Sequence, residues 1–516
     1  MVARNTTWKM NFNILLVSVI TLSLFTHLYN LIGSPSVPSN DEAIYLRRAA
    51  HVLEGQGPQE GTLYDHPYFG QLFLAAALEI IGYPYLLNAL ALNVHSVEML
   101  YLIPKMLMGI LAMLDTFLIY KISEHRYNRN VAIIASILFA VMPLTLILRR
   151  MWLEPIQLPF LLLSVYFAMI LYSKNSIDRI NENEKKHIKK SLPILLSGIF
   201  LGLSIFTKIP VFAMIPLIGF PVYKSNNGGR SLKTVGLWFI PVFLIPLAWP
   251  AYAIYHGQFS LWLDGLSWQT HRGVNTFFAS LAYDFNIDPV LMALGLSGLV
   301  FAAIKRDLFV LLWSIPFLIF LYIIGFVSYW HFIPLFPAFC IAAARLIEYL
   351  SNLVNLKTIH KYLSTLFIVV CAIAIFGLVN TTVLITTNYN LNYYRATLFV
   401  IQYLLQDKQN NQHANSHDKI TVIANPSYTW LPQYIFDLNT NYYIDYLNNP
   451  IAVKTNRVLF VIDSSFAYEL RHHQLAEQIQ KMFSSNNNYN KNIIATFGDK
   501  NTNSNLVYIL MINVQR

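Results

Sequence analysis

Residues 99–120 read MLYLIPKMLMGILAMLDTFLIY. The stretch is mostly apolar and matches the roughly 20 residues a helix needs to cross the hydrocarbon of a bilayer. Working outward, similar stretches occur at 12–32, 131–148, 155–173, 192–207, 209–223, 234–255, 289–304, 308–327, 331–350 and 362–386. The expected fold is therefore mainly α, a polytopic membrane protein with about eleven transmembrane helices. Composition points the same way: 55% of the 516 residues are hydrophobic and only 12% are charged. Mean hydropathy is +0.46. A soluble globule of this size could not hide so much apolar surface, and a disordered chain would be polar and poor in aromatics. No small-residue cleavage site follows the first stretch, which reads as a retained helix rather than a secretory leader.

The net charge of +10 invites a nucleic-acid reading until the charges are placed. With the N-terminus inside, the inner segments carry 19 of the 36 Lys and Arg residues. The outer loops carry six: Arg47, Arg48, Arg149, Arg150, Lys208 and Arg272. By the positive-inside rule the N-terminus is cytoplasmic. An odd number of spans then sends 387–516 outside, and no nucleic-acid partner is implied. Two domains are expected: a membrane domain over 1–386, with a long outer loop 33–98 bearing surface helices, and an extracytoplasmic domain over 387–516. The latter has short apolar runs at 419–424, 457–463, 492–497 and 506–512, and helical spacing over 465–482. It reads as a small α/β domain with about four strands. Cys340 and Cys371 sit in apolar runs and read as small core residues.

Charge at or in a bilayer costs on the order of 2.5–3.5 kcal/mol on insertion scales, so polar clusters in such a chain are informative. Five fall on the outer side. SNDEAIYLRRA (39–49) places Asp41 and Glu42 together, where either could serve only a helix start capped by Ser39 or Asn40. YDHPYFGQLFLA (64–75) holds Asp65 and His66. LRRMWLEPIQ (148–157) holds Arg149, Arg150 and Glu154, which could be a local ion pair. Lys208 stands alone between apolar helices and could snorkel. SYWHFIPLFPAF (328–339) holds His331. Five clusters on one side imply a polar cavity at the outer interface. Asp115, near the inner end of its span, is expected to snorkel inward.

In this order the clusters resemble the GT-C superfamily of membrane glycosyltransferases. They are most similar to the dolichyl-phosphate-mannose protein mannosyltransferases and the aminoarabinose transferases of lipid A. NDEAIY, with Asp41, Glu42 and Tyr45, looks like the family's acidic motif after the first span. YDHPYFGQL resembles its Tyr-x-x-His-Pro-Pro-Leu-Gly-Lys segment at His66, Pro67 and Gly70, with Tyr68 and Gln71 departing from it. RRMWLEP, GLSIFTKIP (202–210) and HFIPLFPAF (331–339) resemble three further family segments. The resemblance covers roughly residues 12–350. It implies a GT-C-like fold and inverting transfer of a sugar, mannose or another hexose, from a polyprenyl or dolichyl monophosphate donor. The acceptor, a glycoprotein Ser/Thr, a glycan or a lipid, would lie on the outer face of the plasma membrane.

The residues suit that chemistry. Phosphate is a good leaving group, so the chief need is positive charge where phosphate charge develops. Arg149, Arg150, Lys208 and Arg272 are the outer cations available. A carboxylate must accept the acceptor proton. Asp41 is assigned that catalytic role, with Glu154 orienting the acceptor or partnering the base. Glu42, Tyr45, Asp65, His66 and His331 are assigned to substrate binding. A divalent metal held by Asp41, Glu42, Asp65 and His66 stays open. So do two other readings: a lipid-linked glycan flippase, and an oligosaccharyltransferase-type enzyme using a diphosphate donor.

Overall fold

The computed structural model describes residues 12–34, 40–83, 93–177, 186–225, 231–273, 275–354, 359–388, 390–410, 420–434, 436, 438–443, 457–463, 466, 491–498 and 506–513. Long helices dominate, followed by one small sheet near the C-terminus. The quoted stretch lies within the helix Val94–Arg126. Asn93 starts it by accepting a hydrogen bond from the Ser96 N–H at 2.8 Å. Its 33 residues make a rod of about 50 Å at 1.5 Å per residue.

That rod connects two polar ends of the molecule. Near one end, Tyr101 accepts from the Trp430 indole N–H at 2.6 Å, and its own hydroxyl donates to the Ser427 carbonyl at 3.1 Å. At the other, Arg126 lies 3.5 Å from Asp307, which also accepts from Tyr127 and pairs with Arg345. Asp115 does not snorkel. It is wholly buried, and neither carboxylate oxygen has a hydrogen-bond partner. Its position on the rod turns it into the helix bundle and away from lipid or inner water.

The expected eleven spans are not all present as single helices. Among the described residues four helices are long and apolar enough to cross a membrane, or up to seven if each bent pair counts as one span. The shortfall has two sources: bent helix pairs, and apolar helices of only 10–17 residues such as Asn13–Leu28, Leu192–Thr207 and Ile209–Lys224. Arg129–Val141 and Pro143–Arg149 meet at 67°, and Leu232–Leu244 and Ala248–Tyr255 at 41°. The runs 289–304 and 308–327 meet at 119°, reversing through a turn in which Arg306 has φ 53°. Proline cannot donate to the preceding turn and clashes with it, so the apolar run at 131–148 ends its α-helix before Pro143 and continues as a tighter 3₁₀ segment.

In the outer loop two helices form, Asn40–Leu53 and Phe69–Ile80. The second packs closely on the start of the helix Leu153–Ile177. A Cβ on Gly70 would come within 2.5 Å of Leu153 Cδ2.

The sheet has five strands in the order β2-β1-β3-β5-β4: β1 (Ile420–Ala424), β2 (Thr440–Tyr442), β3 (Arg457–Ile462), β4 (Lys491–Phe497) and β5 (Val507–Asn513). Strand β1 runs parallel to both β2 and β3, while β5 is antiparallel to β3 and β4. Four strands fall on the four apolar runs. β2 is three polar residues without apolar alternation, and it forms because β1 offers it a free edge. The helical spacing at 465–482 lies almost wholly outside the described residues. Four helices had no counterpart in the sequence reading: Phe259–Thr270, Phe277–Ile287, Leu391–Asn410 and Pro426–Tyr434. The last packs on Asn40–Leu53, so the sheet domain is seated on the first outer-loop helix.

Candidate active site

The outer-side groups gather around one cavity of about 1060 Å³. Its walls include Asp41, Tyr45, Asp65, His66, Lys208, Arg272 and His331. Asp41 and Glu42 occupy the first turn of the helix Asn40–Leu53. Side chains one position apart on a helix diverge by about 100°, whereas those four apart share a face. Asp41 and Tyr45 therefore line the cavity together. Arg48, next on the same face, pairs with Asp65 at 2.9 Å. Glu42 points elsewhere. It is fully buried, accepting from Arg150 Nη1 at 2.8 Å and from the Met151 N–H at 3.2 Å.

Burial raises the Asp41 pKa, Lys208 opposes the rise, and the carboxylates of Glu154 and Asp65 add to it. Asp65 goes the other way. Burial pushes its pKa up, but Arg48 and His66 outweigh burial and hold it below the usual carboxylate range. Burial drives His66 down to about 3, against the pull of Asp65, so its imidazole is neutral at working pH. Tyr45 is raised by burial and then by Asp41, and keeps its proton.

Lys208 follows the helix Lys186–Thr207 and precedes the 3₁₀ segment Ile209–Met214. Gln157 holds its carbonyl, and Glu154 pairs with its ammonium. Glu154 itself is buried behind Lys208 and is not on the cavity wall. His331 Nε2 lies 3.9 Å from Glu154, while its Nδ1 accepts from the Ser328 N–H at 2.9 Å. Arg272 stacks on Trp268 at 3.6 Å, and its Nε has no hydrogen-bond partner.

The remaining cations do not reach the cavity. Arg150 is engaged by Glu42 and lies over Trp152. Arg149 is fully buried and donates to the Tyr29 carbonyl, with Nε and Nη1 unpartnered. Gln71, which stands where the family motif has Lys, is buried against the Pro58 carbonyl.

Of the four residues left open for a metal, Asp41, Asp65 and His66 line the cavity and Glu42 does not. Glu42 is committed to Arg150 and Asp65 to Arg48. Among the described residues no group of three or more His, Cys, Asp or Glu side chains could hold a metal ion. No step below runs through a metal.

Several residues of the site went unnoticed in the sequence: Arg48, which pairs with Asp65 from outside the cavity wall, and the lining residues Trp268, Tyr393, Asn425, Tyr428 and Asp463. The signal for Arg48 was present in the helical spacing 41, 45, 48. For Asn425 and Asp463 it was their position directly after an apolar strand run.

A helical region enclosing an acid-and-cation cavity, with a small sheet supplying one wall, makes a GT-C-like fold. The comparisons agree. Residues 17–224 match the family model of dolichyl-phosphate-mannose-protein mannosyltransferase. That stretch carries Asp41, Asp65, His66, Glu154 and Lys208. The chain is similar to ArnT from Cupriavidus metallidurans, whose structure was determined bound to undecaprenyl phosphate. The TM-score is 0.58 at 12% identity, covering 97% of this chain and 98% of that one. It is also similar to the oligosaccharyltransferase AglB from Archaeoglobus fulgidus, in complex with an inhibitory peptide and a dolichol-phosphate. There the TM-score is 0.55 at 10% identity, covering 87% of this chain and 69% of that one. No curated protein matches the chain. The resemblance read from the motifs therefore holds at the level of fold, and the family and both neighbours are glycosyltransferases.

Proposed function

We propose that this protein transfers a sugar, mannose or another hexose, from a polyprenyl or dolichyl monophosphate to an acceptor on the outer face of the membrane, with inversion. One observation carries the reading. A half-buried carboxylate, Asp41, shares a cavity with two cations, Lys208 and Arg272, and that cavity has an apolar flank of Ile209, Phe212, Phe320 and Ile323. The apolar flank suits a prenyl chain. The cations suit the phosphate, Arg272 as a fork and Lys208 as a point charge.

In the reaction the acceptor hydroxyl oxygen attacks the anomeric carbon from the face opposite the phosphate. The carbon–oxygen bond to phosphate breaks as the new bond forms, and the lipid phosphate leaves against Lys208 and Arg272. Asp41 takes the hydroxyl proton. Glu154 acts from behind the wall by holding Lys208, and Arg48 holds Asp65. The resident sugar and the acceptor class, protein Ser/Thr included, belong to the same proposal at a finer grain.

The test is transfer of labelled mannose from polyprenyl-phosphate mannose by the purified full chain. Asp41→Asn is expected to lose about 10²–10⁴-fold in rate, the usual worth of a general base, while still binding donor. Turnover near the wild-type rate would remove Asp41 from this role.

A further inference from the structure

One wall of the cavity takes no part in the reaction just described. It comes from the C-terminal region: Tyr393, Asn425, Tyr428, Asp463 and Val507. Asn425 directly follows β1, and Asp463 directly follows β3. The two strands are parallel neighbours, and β1 has β2 on its other side. The chain thus leaves β1 in one direction and later returns to β1's other side as β3. Asn425 and Asp463 stand at the carboxyl ends of adjacent strands at this switch of direction, where open α/β sheets form a ligand crevice. In this protein that crevice opens into the cavity that holds Asp41.

Tyr428 is an independent observation. Its side chain has no exposed surface, and its hydroxyl has no hydrogen-bond partner although it borders the cavity. Leaving a buried hydroxyl unpaired costs roughly 1–3 kcal/mol, a cost that a ligand hydroxyl would remove. Burial and then Asp463 raise its pKa, so it keeps its proton. Its ring lies 4.8 Å from that of Tyr393. Its helix, Pro426–Tyr434, packs on the helix that carries Asp41, and Asn40 reaches the Tyr442 hydroxyl at 3.4 Å. The cavity is also divided by charge. Lys208 and Arg272 lie on the helical walls, and among the described residues the sheet-side wall presents a carboxylate, an amide and phenols but no cation.

We propose that the wall formed by Tyr428, Asn425 and Asp463 is the acceptor subsite, and that it takes a neutral, hydroxyl-rich acceptor of carbohydrate type. Tyr428 Oη is the group that hydrogen-bonds the acceptor. Asp463, whose Oδ1 accepts from the Phe466 N–H at 2.8 Å, selects against phosphorylated acceptors, because among the described lining residues that wall sets a carboxylate and no cation against an anion. This assignment rests on the glycosyl-transfer reading.

The experiment uses the purified full chain with polyprenyl-phosphate mannose and three acceptor probes: octyl mannoside, its 6-phosphate, and a Ser/Thr peptide. The wild type should favour octyl mannoside. Tyr428→Phe should raise the acceptor KM roughly tenfold with the donor KM unmoved, a split that loss of fold would not produce. Asp463→Asn should narrow the preference for the neutral probe over the phosphorylated one. An unmoved acceptor KM in Tyr428→Phe, or a wild type that prefers the phosphorylated probe or the peptide, overturns the subsite and leaves sugar transfer standing. A wild type that consumes no donor with any probe, or with water, brings down the transfer reading and the subsite with it.

Discussion

At the residue scale, neighbours in sequence take different roles because a helix turns each to a different environment. Asp41 meets the cavity, and Glu42 meets Arg150. Asp41, raised by burial, must be ionised to act as a base. Transfer should therefore be fast above its pKa and fall as pH drops through an ionisation above the ordinary Asp value of about 3.9. His66, down at about 3, should add no limb between pH 5 and 8. A pH–rate profile flat down to about pH 4 would contradict this. Asp284 gives a stability prediction. Its carboxylate oxygens are buried and unpartnered, and burial pushes its pKa up to about 8. Between about 3.9 and about 8 the folded protein holds a proton that the unfolded chain releases, so stability falls as pH rises through that window. Asp284→Asn should raise the thermal midpoint in detergent more at pH 8 than at pH 4. An equal shift at both pH values would refute the assignment.

The sequence predicts which residues lie on one side, and seven of the proposed site residues do share the cavity. It could not show that Glu42, Arg149, Arg150 and Glu154 stand behind the wall. The reason is rotational: a shift of one residue is 100° on a helix, and packing partners distant in sequence set which way the helix faces.

At the element scale, site residues cluster where helices break. Lys208 precedes the 3₁₀ segment Ile209–Met214, and His331 lies within Tyr329–Leu335. Such breaks free the chain from the regular 3.6-residue turn, so a polar side chain can be presented at the interface while apolar neighbours stay in the bundle. The regular parts depend on close packing. The helix Pro289–Ile304 meets Phe336–Val354 through Gly295 and Gly298, and a Cβ on Gly298 would come within 2.4 Å of the Ala342 carbonyl carbon. Gly298→Leu should destabilise by about 1–3 kcal/mol or more through overpacking. Gly236 meets nothing within 4 Å and provides the control. Thermal unfolding that leaves Gly298→Leu as stable as Gly236→Leu would show that the contact is relaxed at no cost. The apolar runs were readable as elements, but their breaks were not. Hydropathy sums over a window and does not register a bend between two apolar halves.

At the scale of the whole molecule, charge sorting orients the chain. Inner segments carry 19 basic residues against six in the outer loops. A phosphatase reporter fused after residue 516 should be active on the outer face and inactive when fused before residue 12. The reverse pattern would invert the topology and move the cavity to the cytoplasmic side.

The sequence by itself determined the membrane class and four of the five strands, and it predicts an orientation. Each follows from a local sum: apolar transfer over some twenty residues, charge counted loop by loop, and alternating apolar runs. Only the tertiary structure decided which outer groups share a cavity, how the acidic set divides between cavity and buried ion pairs, and that the sheet domain supplies a wall to the site. Those outcomes depend on contacts such as Tyr101 with Trp430 and Arg48 with Asp65. Chain distance does not predict such contacts, because each exists only once the helices have packed and fixed one another's rotation.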